Sequence, residues 1–178
     1  LAASATQRAY TYLDGFGDPW GGEAFALGAA YTMGGYKFAA GYERMKDVSP
    51  GVNSNTTDNL MLGADATFGA VTVKARYGQG TSEFEDSTAD DQDNDQWALS
   101  TTYAANALAL TAYASHLQYS LSVSGANSYE RDAIGLGASY DLGGGAKVKS
   151  VVVRRTETEF ASPTVDDTAF DIGLDFSF

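Results

Sequence analysis

Residue types able to carry out chemistry are few in this chain of 178 residues. It has no cysteine and a single histidine, whereas aspartate and glutamate number 23 and lysine and arginine 11. The lack of cysteine excludes disulfides, thiolate zinc sites and cysteine nucleophiles, and one histidine is too few for the usual histidine metal cluster. The net charge of −12 argues against a nucleic-acid partner, because that binding depends on neutralising phosphates.

The single histidine, His116, is a candidate for general acid–base catalysis because Asp132 lies in the neighbouring segment. Such a pair can activate a water molecule. However, no second pair of catalytic carboxylates is recognisable, and the alternation described below places His116 on an apolar face. A histidine at an interface, with no catalytic role, is the preferred interpretation, and the sequence predicts that the protein is not an enzyme.

An acidic stretch at residues 80–95 contains no basic residue. Three of its carboxylates alternate along the chain: Asp91, Asp93 and Asp95. This spacing begins like a calcium-binding loop, but Gln96 replaces the required glycine and Thr102 replaces the bidentate glutamate, so the EF-hand pattern fails. Weak calcium binding by these three residues is one hypothesis, and a solvated loop without an ion is the favoured alternative. No other cofactor is expected.

The elements that must position these residues are β-strands, because apolar and polar residues alternate with period two along the chain. In the last segment one face carries Phe170, Ile172, Leu174 and Phe176, and the intervening residues are Asp171, Gly173 and Asp175. Segments of this kind predict about ten strands. Their ranges are 1–12, 23–33, 36–45, 58–68, 71–79, 96–103, 108–117, 131–142, 146–156 and 167–178.

The predicted connections alternate between short and long. The short ones are 34–35, 69–70, 104–107 and 143–145, and glycine in most of them supplies the positive φ that tight hairpins require. The long ones are polar and comprise 14–22, 46–57, 80–95, 118–130 and 157–166. Short turns at one side and long loops at the other are typical of outer-membrane β-barrels. The sequence therefore predicts one transmembrane antiparallel β-barrel region over residues 1–178.

On this interpretation the polar face of each strand lines a water-filled lumen. A basic side chain facing lipid would cost about 2–4 kcal/mol at mid-membrane, which favours the same assignment. The predicted pore-lining residues are Lys37, Glu43, Asp65, Lys74, Arg76, Asp141, Lys147, Lys149, Asp171 and Asp175. They could bias the passage of ions, or they could simply be the charges that any wet wall carries.

The short turns also fix a strand register. A two-residue turn at 69–70 places Asp65 opposite Lys74. A turn at 143–145 likewise places Asp141 opposite Lys147. The same two turns place Arg76 opposite Gly63 and Lys149 opposite Ser139. We therefore expect the charges of those two bases to remain unneutralised and available to passing ions.

A soluble β-sandwich also alternates and turns often, so it is the main structural alternative. Two features argue against it. Aromatic residues edge the apolar faces at strand ends, as Tyr31, Tyr36 and Phe68 do, which suits the interfacial girdles of a membrane barrel. The opposite faces combine glycine and alanine with charges, which is unusual for the solvent face of a sandwich.

Several segments resemble a known family. The ending DIGLDFSF at 171–178 is similar to the terminal strand that the outer-membrane insertion machinery recognises in bacterial barrel proteins. More specific are AAYTMGGY at 29–36, continuing to GYE at 41–43, and GLGASYDLGGGA at 135–146. These segments resemble the C-terminal half of general porins of the Rhodobacter type.

The resemblance implies a barrel of about 16 strands, usually trimeric, through which small hydrophilic solutes and ions diffuse passively. It implies location in the bacterial outer membrane, with the lipid bilayer and lipopolysaccharide as partners. Because about ten strands are present, the chain is interpreted as the C-terminal part of a longer porin. On this interpretation the inward-folded constriction loop of the family belongs to the other half of the porin, so no residue of this chain is assigned to it.

Two other functions remain open from sequence alone. One is an outer-membrane hydrolase or protease on a closed ten-stranded barrel, with His116 and Asp132 as its reactive pair. The other is an adhesin whose long loops bind a host or a phage. Further alternating strands in a longer precursor would favour the porin over the hydrolase.

Overall fold

A computed structural model of the chain describes residues 1–13, 19–49, 52–84, 91–121, 128–159 and 162–177. These residues form one antiparallel sheet of ten strands, in which each strand is bonded to the next along the chain. The strands are β1 (Ala2–Leu13), β2 (Pro19–Met33), β3 (Tyr36–Ser49), β4 (Val52–Phe68), β5 (Val71–Phe84), β6 (Gln92–Ala105), β7 (Leu108–Leu121), β8 (Tyr129–Gly143), β9 (Ala146–Glu159) and β10 (Val165–Phe176). The all-β antiparallel prediction is confirmed.

The register keeps apolar residues together on one face of the sheet. Leu136 in β8 lies opposite Ala112 in β7 and Val152 in β9, and all three point to the same side. Because side chains alternate along every strand, the residues between them occupy the other face. We call the side that carries Leu136 the apolar face and the opposite side the polar face.

The short turns all lie at one end of the strands, which we call the short-turn end. They have two residues each, at 34–35, 69–70, 106–107 and 144–145. Gly69 has a φ of 59°, which is the left-handed conformation that such turns require. The predicted turns at 104–107 and 143–145 are too long, because β6 continues to Ala105 and β8 to Gly143. Asn106, in the first of these turns, adopts a φ of 53°, and asparagine is the side chain that tolerates this conformation best after glycine.

At the opposite end of the sheet, which we call the long-loop end, the strands extend further than the sequence predicts. β5 continues to Phe84 and β3 to Ser49, so much of each predicted long loop is hydrogen-bonded strand. Both faces of these extensions are polar, so the alternation that marks a strand disappears while the backbone pairing continues. The remaining parts of the predicted loops, at 14–18, 50–51, 85–90, 122–127 and 160–161, lie outside the described residues, as does Phe178.

The sheet has one layer and, among the described residues, no hydrophobic core beyond Ala133. The apolar face is exposed along its length, with Phe170 at 69%, Leu174 at 63% and Leu136 at 61% of their full accessible surface. A β-sandwich would bury these side chains against a second sheet, and the described residues form only one, so the sandwich alternative is wrong. A face of this kind needs an apolar environment such as lipid.

β1 and β10 are the two edges of the sheet and do not pair with each other in the described part of the chain. The sheet is therefore open rather than a closed ten-stranded barrel. No described segment forms a helix of the length and hydropathy needed to cross a membrane.

Candidate pore-lining face

The polar face brings together every residue predicted to line a pore. The register places them all on the side opposite Leu136: Lys37, Glu43, Asp65, Lys74, Arg76, Asp141, Lys147, Lys149, Asp171 and Asp175. They form two groups, one on β3 to β5 and one on β8 to β10. That these charges line a conducting path stays a prediction.

The first group is arranged around Asp65 of β4. The register sets this residue directly opposite Lys37 on one side and Lys74 on the other, as predicted for Lys74. Its carboxylate nevertheless contacts the guanidinium of Arg76, with 2.5 Å between Oδ1 and Nη1. The expectation that Arg76 carries an unneutralised charge is therefore wrong.

Gly63 allows Arg76 to take this position. It lies directly opposite Arg76, and a Cβ added to it would be 3.4 Å from Cδ of the arginine. The long side chain can thus lie across the sheet towards the diagonal acid. The guanidinium Nη1 also donates hydrogen bonds to the carbonyl oxygens of Ala64 and Ala75, at 3.2 and 2.8 Å.

The second group repeats the diagonal arrangement. Lys149 faces Gly173 in the register, but its ammonium donates to the carboxylate of Asp175 at 2.5 Å. Lys147 lies opposite Asp141 as predicted, with a looser separation of 3.7 Å between Nζ and Oδ2. The expectation of a free charge on Lys149 is also wrong, because long side chains reach diagonal neighbours as easily as direct ones.

Four of the predicted residues have no ion pair within 4.0 Å among the described residues. They are Lys37, Glu43, Lys74 and Asp171. On the β3 to β5 wall, the unneutralised bases are thus the two lysines flanking Asp65.

The polar face also carries two ion pairs that the predicted set omits. Arg155 of β9 donates two hydrogen bonds to Asp167 of β10, at 3.1 and 2.8 Å. Arg131 of β8 contacts Glu157 of β9 at 2.7 Å. Strand parity places these side chains on the polar face, so the signal was present in the sequence. Glu157 lies within the predicted connection at 157–166, so the alternation does not indicate its pairing with β8.

The three carboxylates proposed for calcium occupy alternate positions, with Asp91 just before β6 and Asp93 and Asp95 in its first residues. The Asp91 side chain accepts a hydrogen bond from the backbone N–H of Phe84 at 3.0 Å, and Asp95 accepts one from the hydroxyl of Tyr77 at 2.9 Å. Among the described residues, Asp91, Asp93 and Asp95 do not form a group with ligand atoms within 4.8 Å of one another. Calcium binding at these residues stays a prediction.

His116 lies on the apolar face, as the alternation of side chains predicted, near the long-loop end of the strands. Its Nδ1 is 2.9 Å from Oδ1 of Asp132 and 3.8 Å from Oε1 of Glu130. Its ring stacks on that of Trp97, with ring centroids 6.1 Å apart and planes at 19°. The sequence indicated the pair with Asp132 but not the contribution of Glu130, which is two residues away on the same side of β8.

The family is decided by comparison with known proteins. A family model described as Gram-negative porin matches residues 3–160. The chain belongs to the Gram-negative porin family. This porin is consequently a protein of the bacterial outer membrane.

The relatives of this porin support the same assignment. A curated porin of Rhodobacter capsulatus is 33% identical over an alignment of 172 positions, and the alignment covers 88% of this chain and 51% of the relative. The chain thus spans about half the length of that curated relative. This similarity confirms the resemblance to porins of the Rhodobacter type.

Solved structures show the same architecture. A porin structure refined at 1.8 Å resolution is 26% identical, with a TM-score of 0.67 over 96% of this chain and 60% of that one. An anion-selective porin from Comamonas acidovorans has a TM-score of 0.70 at 13% identity, over 97% of this chain and 59% of that one. At that identity, the second likeness shows the fold alone. The ten strands therefore correspond to part of a porin barrel.

Proposed function

We propose that this porin forms part of the wall of a water-filled pore for passive diffusion of small hydrophilic solutes and ions. The observation that carries the proposal is the division of one sheet into two faces. One face exposes large apolar side chains such as Leu174, and the other carries the charged residues of both groups described above. A lipid-facing exterior and a wet interior require this division.

The open edges support a larger barrel than ten strands. β1 and β10 are each 12 residues long, and the backbone groups that alternate residues direct to the outer side of each strand have no strand partner in the described part of the chain. Within a bilayer each unsatisfied backbone group costs several kcal/mol, so both edges must pair in the membrane. We expect them to pair with strands of a longer porin and to close a barrel of about 16 strands.

A homotrimer is part of the proposal. Among the similar structures is a trimer form of OmpT from Vibrio cholerae, with a TM-score of 0.68 at 17% identity over 96% of this chain and 64% of that one. That likeness concerns the fold, and it supports trimerisation of the present porin only as a hypothesis. The further partners are the lipid bilayer, which suits the apolar face, and lipopolysaccharide at the outer rim.

The proposed pore carries out no catalysis. Its walls need only water and fixed charges, and passive diffusion forms or breaks no covalent bond. The one histidine with a carboxylate partner, His116, lies on the apolar face rather than on the polar face where solutes would pass. A reactive pair in that position would not meet a polar solute in the lumen.

Planar-bilayer recording of the full-length porin tests the proposed function. Stepwise increases in conductance are expected when the folded protein inserts, because each insertion adds a water-filled path. Swelling of liposomes in small sugars should follow the same insertion. A protein that inserts with full β-structure by circular dichroism, yet conducts no ions and admits no sugar, would contradict the proposal and favour a loop-presenting adhesin.

A further inference from the structure

Three potential metal ligands converge on the apolar side of the sheet, away from the polar face. They are His116 of β7 and Glu130 and Asp132 of β8, whose ligand atoms all lie within 4.8 Å of one another. No other group of three or more His, Asp or Glu side chains meets this condition in the described ranges. The cluster is near the end of the strands that carries the longer connections.

The distances within the cluster suit a metal ion. Nδ1 of His116 is 2.9 Å from the Asp132 carboxylate and 3.8 Å from that of Glu130. Donor atoms bound to one tetrahedral zinc ion at about 2.0–2.2 Å lie about 3.3–3.6 Å apart. The two measured separations lie on either side of this range. Small rotations of the two carboxylates would equalise them without moving the backbone.

Charge favours a cation at this point. No lysine or arginine in the described part of the chain makes an ion pair with Glu130 or Asp132. The nearby Arg131 points to the polar face and pairs with Glu157. The two carboxylates therefore share only the imidazole, which offers far less positive charge than a dication.

The backbone fixes the relative positions of the donors. His116 and Asp132 are direct partners in the register of β7 and β8, and Glu130 follows Asp132 at the next position on the same face. Trp97, the partner of His116 on β6, stacks on the imidazole and limits its rotation. The side chains remain accessible, with exposures of 21% for His116, 50% for Glu130 and 55% for Asp132.

We propose that His116, Glu130 and Asp132 form a site for a divalent transition metal of the zinc and copper class. Imidazole nitrogen with two carboxylate oxygens is a donor set that Zn²⁺ and Cu²⁺ accept, whereas Ca²⁺ and Mg²⁺ require oxygen ligands alone. The fourth position opens to solvent, so the ion is expected to retain a water molecule. The site is independent of conduction because it is on the opposite side of the wall.

The stacked tryptophan provides a direct reporter. Trp97 and Trp20 are the two tryptophans of these 178 residues, so a background with Trp20→Phe, and with any tryptophan elsewhere in the full-length porin replaced by Phe, leaves the Trp97 signal alone. In this background Cu²⁺ should quench the fluorescence of Trp97 saturably, because bound copper is held next to the stacked ring. Excess Zn²⁺ should reverse the quenching by competing for the same donors. Calorimetric titration of the unmodified porin with Zn²⁺ gives an independent measure of binding.

Matched variants separate this site from general attraction of metal to an acidic protein. His116→Gln and Asp132→Asn should each weaken binding by about tenfold or more. Asp166→Asn removes a carboxylate on the apolar side of β10 that belongs to a different pair, and binding should stay within about twofold. Equal quenching in the parent and in His116→Gln would overturn the proposal, as would quenching that Zn²⁺ does not reverse.

Discussion

Asp65 lies directly opposite Lys74 on the neighbouring strand, yet its carboxylate pairs with the Arg76 guanidinium one diagonal step away, at 2.5 Å. Arginine can present two parallel N–H groups to a carboxylate, and Gly63 leaves room for its side chain. Register alone therefore does not determine which charges on the wall are neutralised. The positions of unpaired charge follow from side-chain length as well as from facing positions.

Ion selectivity should follow the unpaired bases rather than the ion pair. Lys74→Gln removes one unneutralised positive charge, so the zero-current potential in a salt gradient should shift towards cation preference. Removing the pair together, as Asp65→Asn with Arg76→Gln, leaves the net charge unchanged and should shift the potential much less. A shift from the double variant as large as that from Lys74→Gln would contradict this account of the wall.

Two of the short turns should tolerate the replacement of glycine by alanine to different degrees. An alanine at Gly69 or Gly145 must adopt a positive φ, of 59° or 84°, which costs about 1–2 kcal/mol. At Gly145 the added Cβ would also clash with the carbonyl oxygen of Ser177, whereas at Gly69 an added Cβ meets no atom within 4 Å. Gly145→Ala should lower the free energy of unfolding in urea by more than Gly69→Ala. Equal losses would show that the Ser177 contact is relieved without cost.

The two faces should differ in how much stability they lose when a charge is introduced at mid-strand. Leu136 is on the apolar face and Gly137, its neighbour, on the polar face, where an added Cβ meets only ordinary contacts. Leu136→Arg should lower the free energy of unfolding in lipid by about 2–4 kcal/mol, because an arginine there faces hydrocarbon. Gly137→Arg should cost clearly less, since its guanidinium reaches water. If reversible unfolding showed a larger loss for Gly137→Arg than for Leu136→Arg, the assignment of the two faces would be wrong.

Calcium binding at the start of β6 remains open to a direct test. Asp91, Asp93 and Asp95 occupy alternate positions along the chain, and the carboxylates of Asp91 and Asp95 already accept hydrogen bonds from other groups. We expect at most a weak calorimetric heat with Ca²⁺, and one that disappears when all three are changed to Asn. Identical traces from the parent and the triple variant would show that these residues bind no calcium.

The sequence predicted the strands and their faces because alternation and tight turns are local signals. Each glycine-containing turn set the register of a hairpin, so the position of Asp141 opposite Lys147 followed from arithmetic along the chain. The sequence did not predict where the strands end at the long-loop end, because both faces there meet water and the hydrophobic alternation is lost. Backbone hydrogen bonds continue through such segments without a trace in side-chain composition.

The ion pairs and the histidine cluster were predicted only in part. Lys149 reaches Asp175 across a diagonal, a choice that depends on side-chain conformation and not on residue spacing. Glu130 joins His116 because β8 begins at Tyr129, two residues earlier than alternation indicates. In both cases the decisive information is three-dimensional.

The central claim is that the polar face lines the conducting path while the apolar face meets lipid. These 178 residues contain no cysteine, so a thiol introduced among them has no competing site within them, and any cysteine elsewhere in the full-length porin is first replaced by serine. Gly173 and Leu174 are adjacent on β10 and point to opposite sides, and a Cβ at Gly173 meets no atom within 4 Å. They form a matched pair for modification during current recording.

The most direct measurement is planar-bilayer recording of full-length Gly173→Cys and Leu174→Cys porins while a charged, membrane-impermeant thiol reagent is added. The account predicts that the reagent reduces the current through Gly173→Cys stepwise and leaves the current through Leu174→Cys unchanged. Block of Leu174→Cys with no effect on Gly173→Cys would contradict it, because the face assigned to lipid would then line the pore.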